Sequence, residues 1–488
     1  MIRENLHVAQ EYTLQCYEAG ENIFLTGPGG TGKTSLIRLM VECTPPTKKV
    51  QVCAMTGCAA ILLNCHARTL HSWSGLKIPK GEMTQIVTNI KNDKKACKTW
   101  KTTDILILDE VSMLSCQLLE ILNAVAKTVR NSDKPFGGMQ LVFSGDFFQL
   151  PPIQNRQESN NKSSGQFCFE SPVWDELFPL DNHIELTHLF RQKDPLYKKV
   201  LNHIRKGVID QEDYDLLTSR LHVKYVPAEH NNVVPTKLYA TNARVVEINK
   251  REFDLLTTPC FEYHIVQDEN YTPGGLQTTV QQQQLYKKQK LSKAKVEMEF
   301  RYLIDNSPIE RILYLKKGAN VMCTVNIDVE SGICNGALGK IDHFVHTDDG
   351  GPPMPVVLFE NGQYYKFSVK YWQSDDNPYL AIGQIPLKLA WAMTIHKSQG
   401  ATLPMGEIDI GNSIFECGQT YVALSRIQSL SGLYLCAFNH HKIKINKKVQ
   451  EFYAKIPEVE FEVEEYETTE EKTVETTDEN IKTISVNI

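Results

Sequence analysis

The stretch Asn22-Ile-Phe-Leu-Thr26 runs directly into Gly27-Pro-Gly-Gly-Thr-Gly32-Lys33-Thr34, and its reading decides the fold. A short apolar run ends in glycines, and a helical pattern follows from Lys33 to Val41. Strand, glycine-rich loop, helix is the setting that a phosphate-binding loop requires. The glycines let backbone N–H groups converge on phosphate oxygens, and the helix N-terminus adds its own unpaired donors. Lys33 is expected to reach the β- and γ-phosphates of ATP, and the Thr34 hydroxyl to bind Mg2+. Gly27, Gly29, Gly30, Thr31, Gly32 and Ser35 complete the expected nucleotide contacts.

Working outward, Lys49–Met55, Ile105–Leu108 and Leu141–Ser144 are further strand candidates. Continuous apolar runs alternating with helical stretches indicate an α/β fold, a parallel sheet covered on both faces. Asp109 and Glu110 end the 105–108 strand, where a carboxylate faces the ligand crevice of such a sheet. Asp109 is expected to hold the metal, and Glu110 to orient or deprotonate the attacking water. Gln149, in Gly145-Asp-Phe-Phe-Gln-Leu-Pro-Pro152, is a candidate γ-phosphate sensor, because an amide can donate to phosphate and accept from water. A polar loop residue is the plainer alternative. Arg191 and Arg426 are candidates to neutralise transition-state charge from a second domain. For each, a surface salt bridge is the competing reading.

The remaining chain divides by pattern. Residues 75–101 are polar and lysine-rich and form a small excursion from the first sheet. A second α/β unit begins near Ile184, with a strand expected at Lys237–Thr241 and a helix at Asn242–Phe253. Residues 265–300 hold a glutamine run and a cluster of lysines, and read as a mobile loop, with a dedicated DNA-binding element as the alternative. Residues 311–385 read as short strands punctuated by glycines, a small β barrel. The expected division is therefore 1–185, then 186–310 with 386–450, the inserted 311–385, and an acidic tail at 457–488.

Together these motifs carry a resemblance. The phosphate loop, Asp109–Met113, Gly145–Pro152, Leu189–Gln192, His396-Lys-Ser-Gln-Gly400 and Tyr421-Val-Ala-Leu-Ser-Arg426 occur in the order of superfamily 1 helicases. The chain resembles the RecD-like branch, and most closely the PIF (petite integration frequency) helicases. Lys134–Leu141 leading into Gly145–Pro152 is particularly similar to that family. The resemblance implies two RecA-like P-loop NTPase domains, with a wedge insertion at 75–101 and a β-barrel insertion at 311–385. It implies a 5′→3′ ATP-dependent DNA helicase of replication, recombination, repair or telomere maintenance. Gln10 then reads adenine. Thr56, Gly57, His71, Ser72, His396, Lys397 and Ser398 fall in strand-contacting motifs, so single-stranded and forked DNA are the implied partners. His396 is either an interdomain coupler or a core histidine. Trp73 and Trp391 are stacking candidates, with core packing as their alternative. An ATP-driven translocase subunit of a nuclease complex and an ATP-gated DNA-binding scaffold remain as competing functions.

Bulk properties exclude little else. The 488 residues are 42% hydrophobic and 23% charged, ordinary for a globular chain of several domains. No apolar run is long enough for a membrane span and the N-terminus does not read as a signal peptide, so an intracellular protein of nucleus or cytoplasm is expected. The net charge is −6, but residues 457–488 alone carry −9, which leaves +3 for the body. That tail reads as disordered and could recruit replication or repair proteins. Thirteen scattered cysteines argue against a disulfide framework. Cys53, Cys58, Cys65 and His66 fit no common zinc spacing.

Overall fold

Six parallel strands build the first sheet: β1 (Ile23–Thr26), β2 (Val50–Ala54), β3 (Arg68–Thr69), β4 (Ile105–Asp109), β5 (Gln140–Ser144) and β6 (His183–Glu185). Their order is β3-β2-β4-β5-β1-β6. The structure, a computed structural model, describes residues 6–457 except 57, 58, 61, 62, 64, 77–81, 153–164, 227–234, 272–291, 308, 326, 329, 330, 332, 334–336, 347–350, 360, 375, 376 and 378. The acidic tail from 458 onward thus lies outside the described residues. β1 and β4 are buried along their whole length, as continuous apolar strands under two helical layers must be. Because β5 sits between them, the loops after β1 and β4 open on one edge with the end of β5 between. There the Ser144 hydroxyl donates to Asp109 Oδ1 at 2.8 Å.

The 75–101 excursion contains two helices, Met83–Asn92 and Lys94–Thr102, joined by Asp93, whose carboxylate accepts from the Lys95 and Ala96 N–H groups. Only one face of each is buried, through Ile86, Ile90, Ala96 and Trp100. Trp100 meets Trp73 with ring centroids 4.3 Å apart and donates its indole N–H to the Ser74 carbonyl at 2.9 Å. Arg130, from helix Cys116–Arg130, donates to the Trp100 and Thr103 carbonyls and ties the excursion to the body.

The second sheet is also parallel, in the order Ala392–Thr394, Thr236–Tyr239, Gly406–Ile410, Leu433–Phe438. Between its strands lies the expected β-rich insertion, which reaches beyond 311–385. Among the described residues its strands form ladders of five, three and two. They also draw in Cys260–His264, Val266–Asp268 and Leu387–Leu389 from outside 311–385. Those pairings are non-local and leave no local sequence signal; Tyr263 alone of its strand is buried. Residues 265–300 are not one loop either: Val266–Asp268 is a strand and Lys293–Asn306 a helix. The lysines at 293 and 295 sit on that helix, while residues 272–291 lie outside the described set.

A further difference concerns the C-terminal end of the second unit. Helix Lys447–Tyr453 packs on the core of the first sheet, where Val449 is buried and Phe452 stacks on Phe169 at 4.4 Å. A pair of aromatic side chains on a short helix does not reveal in sequence which of two cores it joins. We expect Trp100→Ala to destabilise the protein by about 3–5 kcal/mol, the usual cost of removing a buried indole. A urea unfolding midpoint equal to the wild type would show that the excursion is not anchored through this residue.

Candidate active site

The loop between β1 and helix Lys33–Cys43 is held by contacts that only glycine permits at two points. Gly27 has φ +133°, and a Cβ there would stand 2.2 Å from the Leu186 carbonyl oxygen. Gly30 has φ +96°, and its Cβ would meet the Arg191 Cβ at 2.6 Å. The Lys33 ammonium is half-buried and donates to the Gly27 carbonyl at 2.6 Å and the Pro28 carbonyl at 3.0 Å. Burial lowers its pKa, while Asp146, Asp109 and Glu110 oppose that shift. Thr31 is buried and caps the Pro28 carbonyl with its hydroxyl.

A cavity of about 510 Å³ opens in front of this loop. Gly29, Gly30, Gly32, Lys33, Thr34, Ser35, Asp109, Glu110 and Gln149 line it from the first sheet, and Gly400, Thr402, Arg426 and Gln428 from the second. Phe190 and Arg191 line it from the segment that joins them. Nearly all the expected catalytic and nucleotide-contacting residues therefore meet at one place. Gln10 lies beside it, fully buried, its amide nitrogen 3.4 Å from the Thr31 carbonyl and its amide oxygen accepting from His7 N–H at 3.1 Å.

The two carboxylates differ. Asp109 accepts from Ser144, yet burial still raises its pKa. Glu110 is raised by burial and then by Asp109, and lowered by Arg426. Glu110 also has left-handed backbone, φ 56° and ψ 43°, a conformation costly for a non-glycine residue and often found at functional sites. Its carboxylate accepts from the Gln399 amide at 3.0 Å. Buried Asp109 and the Thr34 hydroxyl, both on the cavity wall, offer hard oxygen donors that fit a divalent cation such as Mg2+, with half-buried Glu110 next to them.

The arginines face them. Arg426 is 2% exposed and donates to the Val422 and Ala401 carbonyls and the Ser425 hydroxyl. Arg191 requires a correction. It was expected to come from the second domain, but its backbone N–H reaches the Gly30 carbonyl at 3.3 Å, so it rides on the phosphate loop. Its guanidinium then crosses to the Ser425 carbonyl at 3.2 Å. Burial lowers the pKa of both groups, and for Arg191 the neighbouring Arg426 adds to it. Guanidinium groups stay charged regardless, so the pair forms a cationic wall. The Gln149 amide oxygen is buried and, among the described residues, without a hydrogen-bond partner.

Sequence reasoning missed several contributors. Gln399 orients Glu110, and the Tyr421 hydroxyl accepts from Gly29 N–H at 3.0 Å. Phe190 lies 3.5 Å from the Cβ position of Gly32. All three sit inside quoted motifs, where the more obviously ionic neighbours drew the assignment. The strand-contact candidates lie outside the cavity lining. Thr56 accepts from the Ala59 N–H at 3.2 Å, His71 and Ser72 are half-buried, and Gly57 lies outside the described residues. Lys397 is exposed and His396 half-buried, its ring 6.2 Å from that of exposed Phe415. Ser398 is fully buried, its hydroxyl donating to the Ile395 carbonyl, so it closes a turn. Trp73 and Trp391 are both core residues, at 1% and 7% exposure.

Comparison with known proteins extends these observations. The model of the family described as PIF1-like helicase matches residues 6–214, and that of the DNA helicase Pif1 2B domain matches residues 302–344. ATP-dependent DNA helicase PIF1 of Danio rerio is 33% identical over 460 residues, covering 93% of this chain. The chain spans 64% of that relative's length. A crystal structure of Pif1 helicase from Candida albicans superposes with a TM-score of 0.73 at 34% identity, covering 94% of this chain and 100% of that one. Pif1 helicase from Bacteroides, in complex with ADP-AlF3 and single-stranded DNA, superposes with a TM-score of 0.62 at 27% identity, covering 93% and 97%. The two parallel-sheet units are thus RecA-like domains carrying insertions.

An anion should relieve the crowding of Lys33, Arg191 and Arg426. Millimolar pyrophosphate is expected to raise the melting temperature, by about 2.7 kcal/mol of stabilisation at a hundredfold excess over its Kd. In Lys33→Ala that shift should largely vanish; an undiminished shift would place the anion elsewhere.

Proposed function

The chain belongs to the PIF1-like helicase family, and from that membership and the geometry of its cleft we propose that it is an ATP-dependent DNA helicase moving 5′→3′ on a single strand. The observation that carries the reading is the shared cavity: Lys33, Asp109 and Glu110 from one sheet and Arg426 from the other line the same space. A motor needs its nucleotide to favour one domain arrangement over another, and only differential contacts can do that. Contacts already cross the cleft here, from Tyr421 to Gly29, from Gln399 to Glu110 and from Arg191 to Ser425.

The roles follow from chemistry. Phosphate-loop amides and Lys33 bind the triphosphate, and Gln10, with Phe190 near Gly32, suits the base and sugar side. Mg2+ held by Thr34 and Asp109 would supply charge neutralisation on the β- and γ-phosphate oxygens. Glu110, with its proton affinity raised, accepts a proton from the attacking water. Gln149, its buried amide oxygen unpartnered among the described residues, orients that water, and Arg191 and Arg426 take up charge developing on the γ-phosphoryl oxygens. Once phosphate leaves, the arginines lose their counter-charge and the closed arrangement its advantage. Thr56, His71 and Ser72 on the first unit and His396 and Lys397 on the second are the strand contacts we assign. Separating one base pair costs about 1.4 kcal/mol, small enough for one hydrolysis to drive one step.

Two assays test this. Glu110→Gln should lower single-strand-stimulated ATP hydrolysis by about 10²–10⁴-fold while still binding nucleotide. A duplex with a 5′ single-stranded tail should be opened with ATP, and one with a 3′ tail should not. Opening of the 3′-tailed duplex alone would reverse the polarity. ATP turnover without strand separation on any tailed substrate would favour a translocase.

A further inference from the structure

The loop carrying Gln149 follows β5 of the first sheet, yet residues from beyond that sheet hold it. Asp146 is fully buried and takes the Arg205 guanidinium in a forked contact, with Nε at 3.1 and 3.2 Å and Nη2 at 3.0 Å. Arg205 ends helix Pro195–Arg205 of the second unit and also donates to Glu185 at 2.9 Å. Its guanidinium lies over the rings of Phe148 and Tyr453, 4.8 and 5.3 Å from their centroids.

Tyr453 closes the other side. Its hydroxyl accepts from Phe147 N–H at 3.1 Å, lies 2.5 Å from the Thr26 hydroxyl, and lies 3.4 Å from Asp146 Oδ1. Thr26 is the residue just before the phosphate loop. One phenol therefore touches both the strand that leads into that loop and the turn that presents Gln149. Within the turn, the Asp146 carboxylate accepts from Phe148 N–H at 3.2 Å and its carbonyl from Gln149 N–H at 2.9 Å. Asp146 is thus bound to Arg205 and to Gln149 at once.

We propose that Tyr453 and Arg205 are positioning residues for nucleotide hydrolysis, setting the Gln149 side chain through the 146–149 turn according to where the second unit stands. The inference rests on the reading of Gln149 as the γ-phosphate and water contact. Among the described residues the Gln149 amide oxygen has no partner to pin it, so the turn that carries the side chain sets where it can reach. That backbone is gripped by Asp146 from within, and by Arg205, Tyr453 and Gly418 from without; a Cβ at Gly418 would stand 2.6 Å from the Gln149 carbonyl oxygen. The buried Arg205–Asp146 pair cannot part without leaving an uncompensated charge. The turn therefore moves with Arg205 and does not slide past it. Sensing of the γ-phosphate and the separation of the two units become one coordinate.

Tyr453→Phe keeps the ring against Phe148 and Arg205 and removes one hydroxyl. Steady-state ATP hydrolysis with single-stranded DNA present should show kcat reduced by about tenfold to a hundredfold, the range for a misplaced catalytic group. KM for ATP should stay within about twofold, as expected when ground-state binding is intact, and the melting temperature should stay near the wild type. Asp146→Asn keeps the shape of the turn and is expected to show the same kcat-selective loss. Unchanged kcat in both variants, or losses that follow the melting temperature alone, would overturn the proposal. Gln149→Ala, measured alongside, separates the premise from the inference. If it turns over normally while Glu110→Gln does not, the positioning role falls and the hydrolytic site stands.

Discussion

Lys33, Asp109, Glu110, Arg191 and Arg426 share one cavity, and each is largely withdrawn from water. Desolvation is the leading influence on the proton affinity of every one of them. Removing an ion from water costs several kcal/mol even after relaxation, so such a cluster weakens the fold unless its charges offset one another. They do so only in part. Glu110 sits between Asp109, which repels it, and Arg426, which attracts it, while the two arginines repel each other. On the proposed reading, a triphosphate with a divalent cation would supply the complementary charges: cation to the carboxylates, anionic oxygens to the lysine and arginines. The binding energy and a preference for a closed cleft would then have the same electrostatic source.

The halves are also joined beside the site by contacts of a different kind. Helix Lys447–Tyr453 leaves the second sheet and docks its aromatic residues into the core beneath the first. The Arg205–Asp146 pair and the Tyr453 hydroxyl then fix a pivot next to the phosphate loop. Contacts at the pivot are buried and multiply bonded, whereas the cleft contacts of Tyr421, Gln399 and Arg191 are single hydrogen bonds. Motion between the halves should break the second kind and spare the first.

Much of this was legible in sequence because the phosphate loop, the Asp109–Glu110 strand end and the Gly145–Pro152 loop each combine a local pattern with a local chemical need. A Gly-rich turn between strand and helix, or a carboxylate after a buried strand, means the same thing wherever it folds. What stayed hidden depended on long-range pairing. Arg191 looked like a contribution from the second unit because it follows β6, but its own N–H and that of Phe190 both donate to the Gly30 carbonyl and attach it to the first. The inserted β ladders recruit Cys260–His264, whose alternation is too weak to mark a strand. Trp73 and Trp391 looked like stacking platforms because aromatic residues serve both cores and bases; burial decides between them, and burial is not a local property. Tyr453 could not be assigned at all, since its partners lie more than 300 residues away.

The central claim is that the second sheet completes the hydrolytic site through Arg426. Single-turnover ATP hydrolysis by Arg426→Lys tests it most directly, because lysine keeps the charge but not the planar fork. Nucleotide affinity should change by less than about tenfold while the hydrolysis step slows by about 10³-fold or more, as for other in-cis arginine contacts to a transferring phosphoryl group. Hydrolysis at the wild-type rate in that variant would contradict the account, since the two halves would then not share the chemistry.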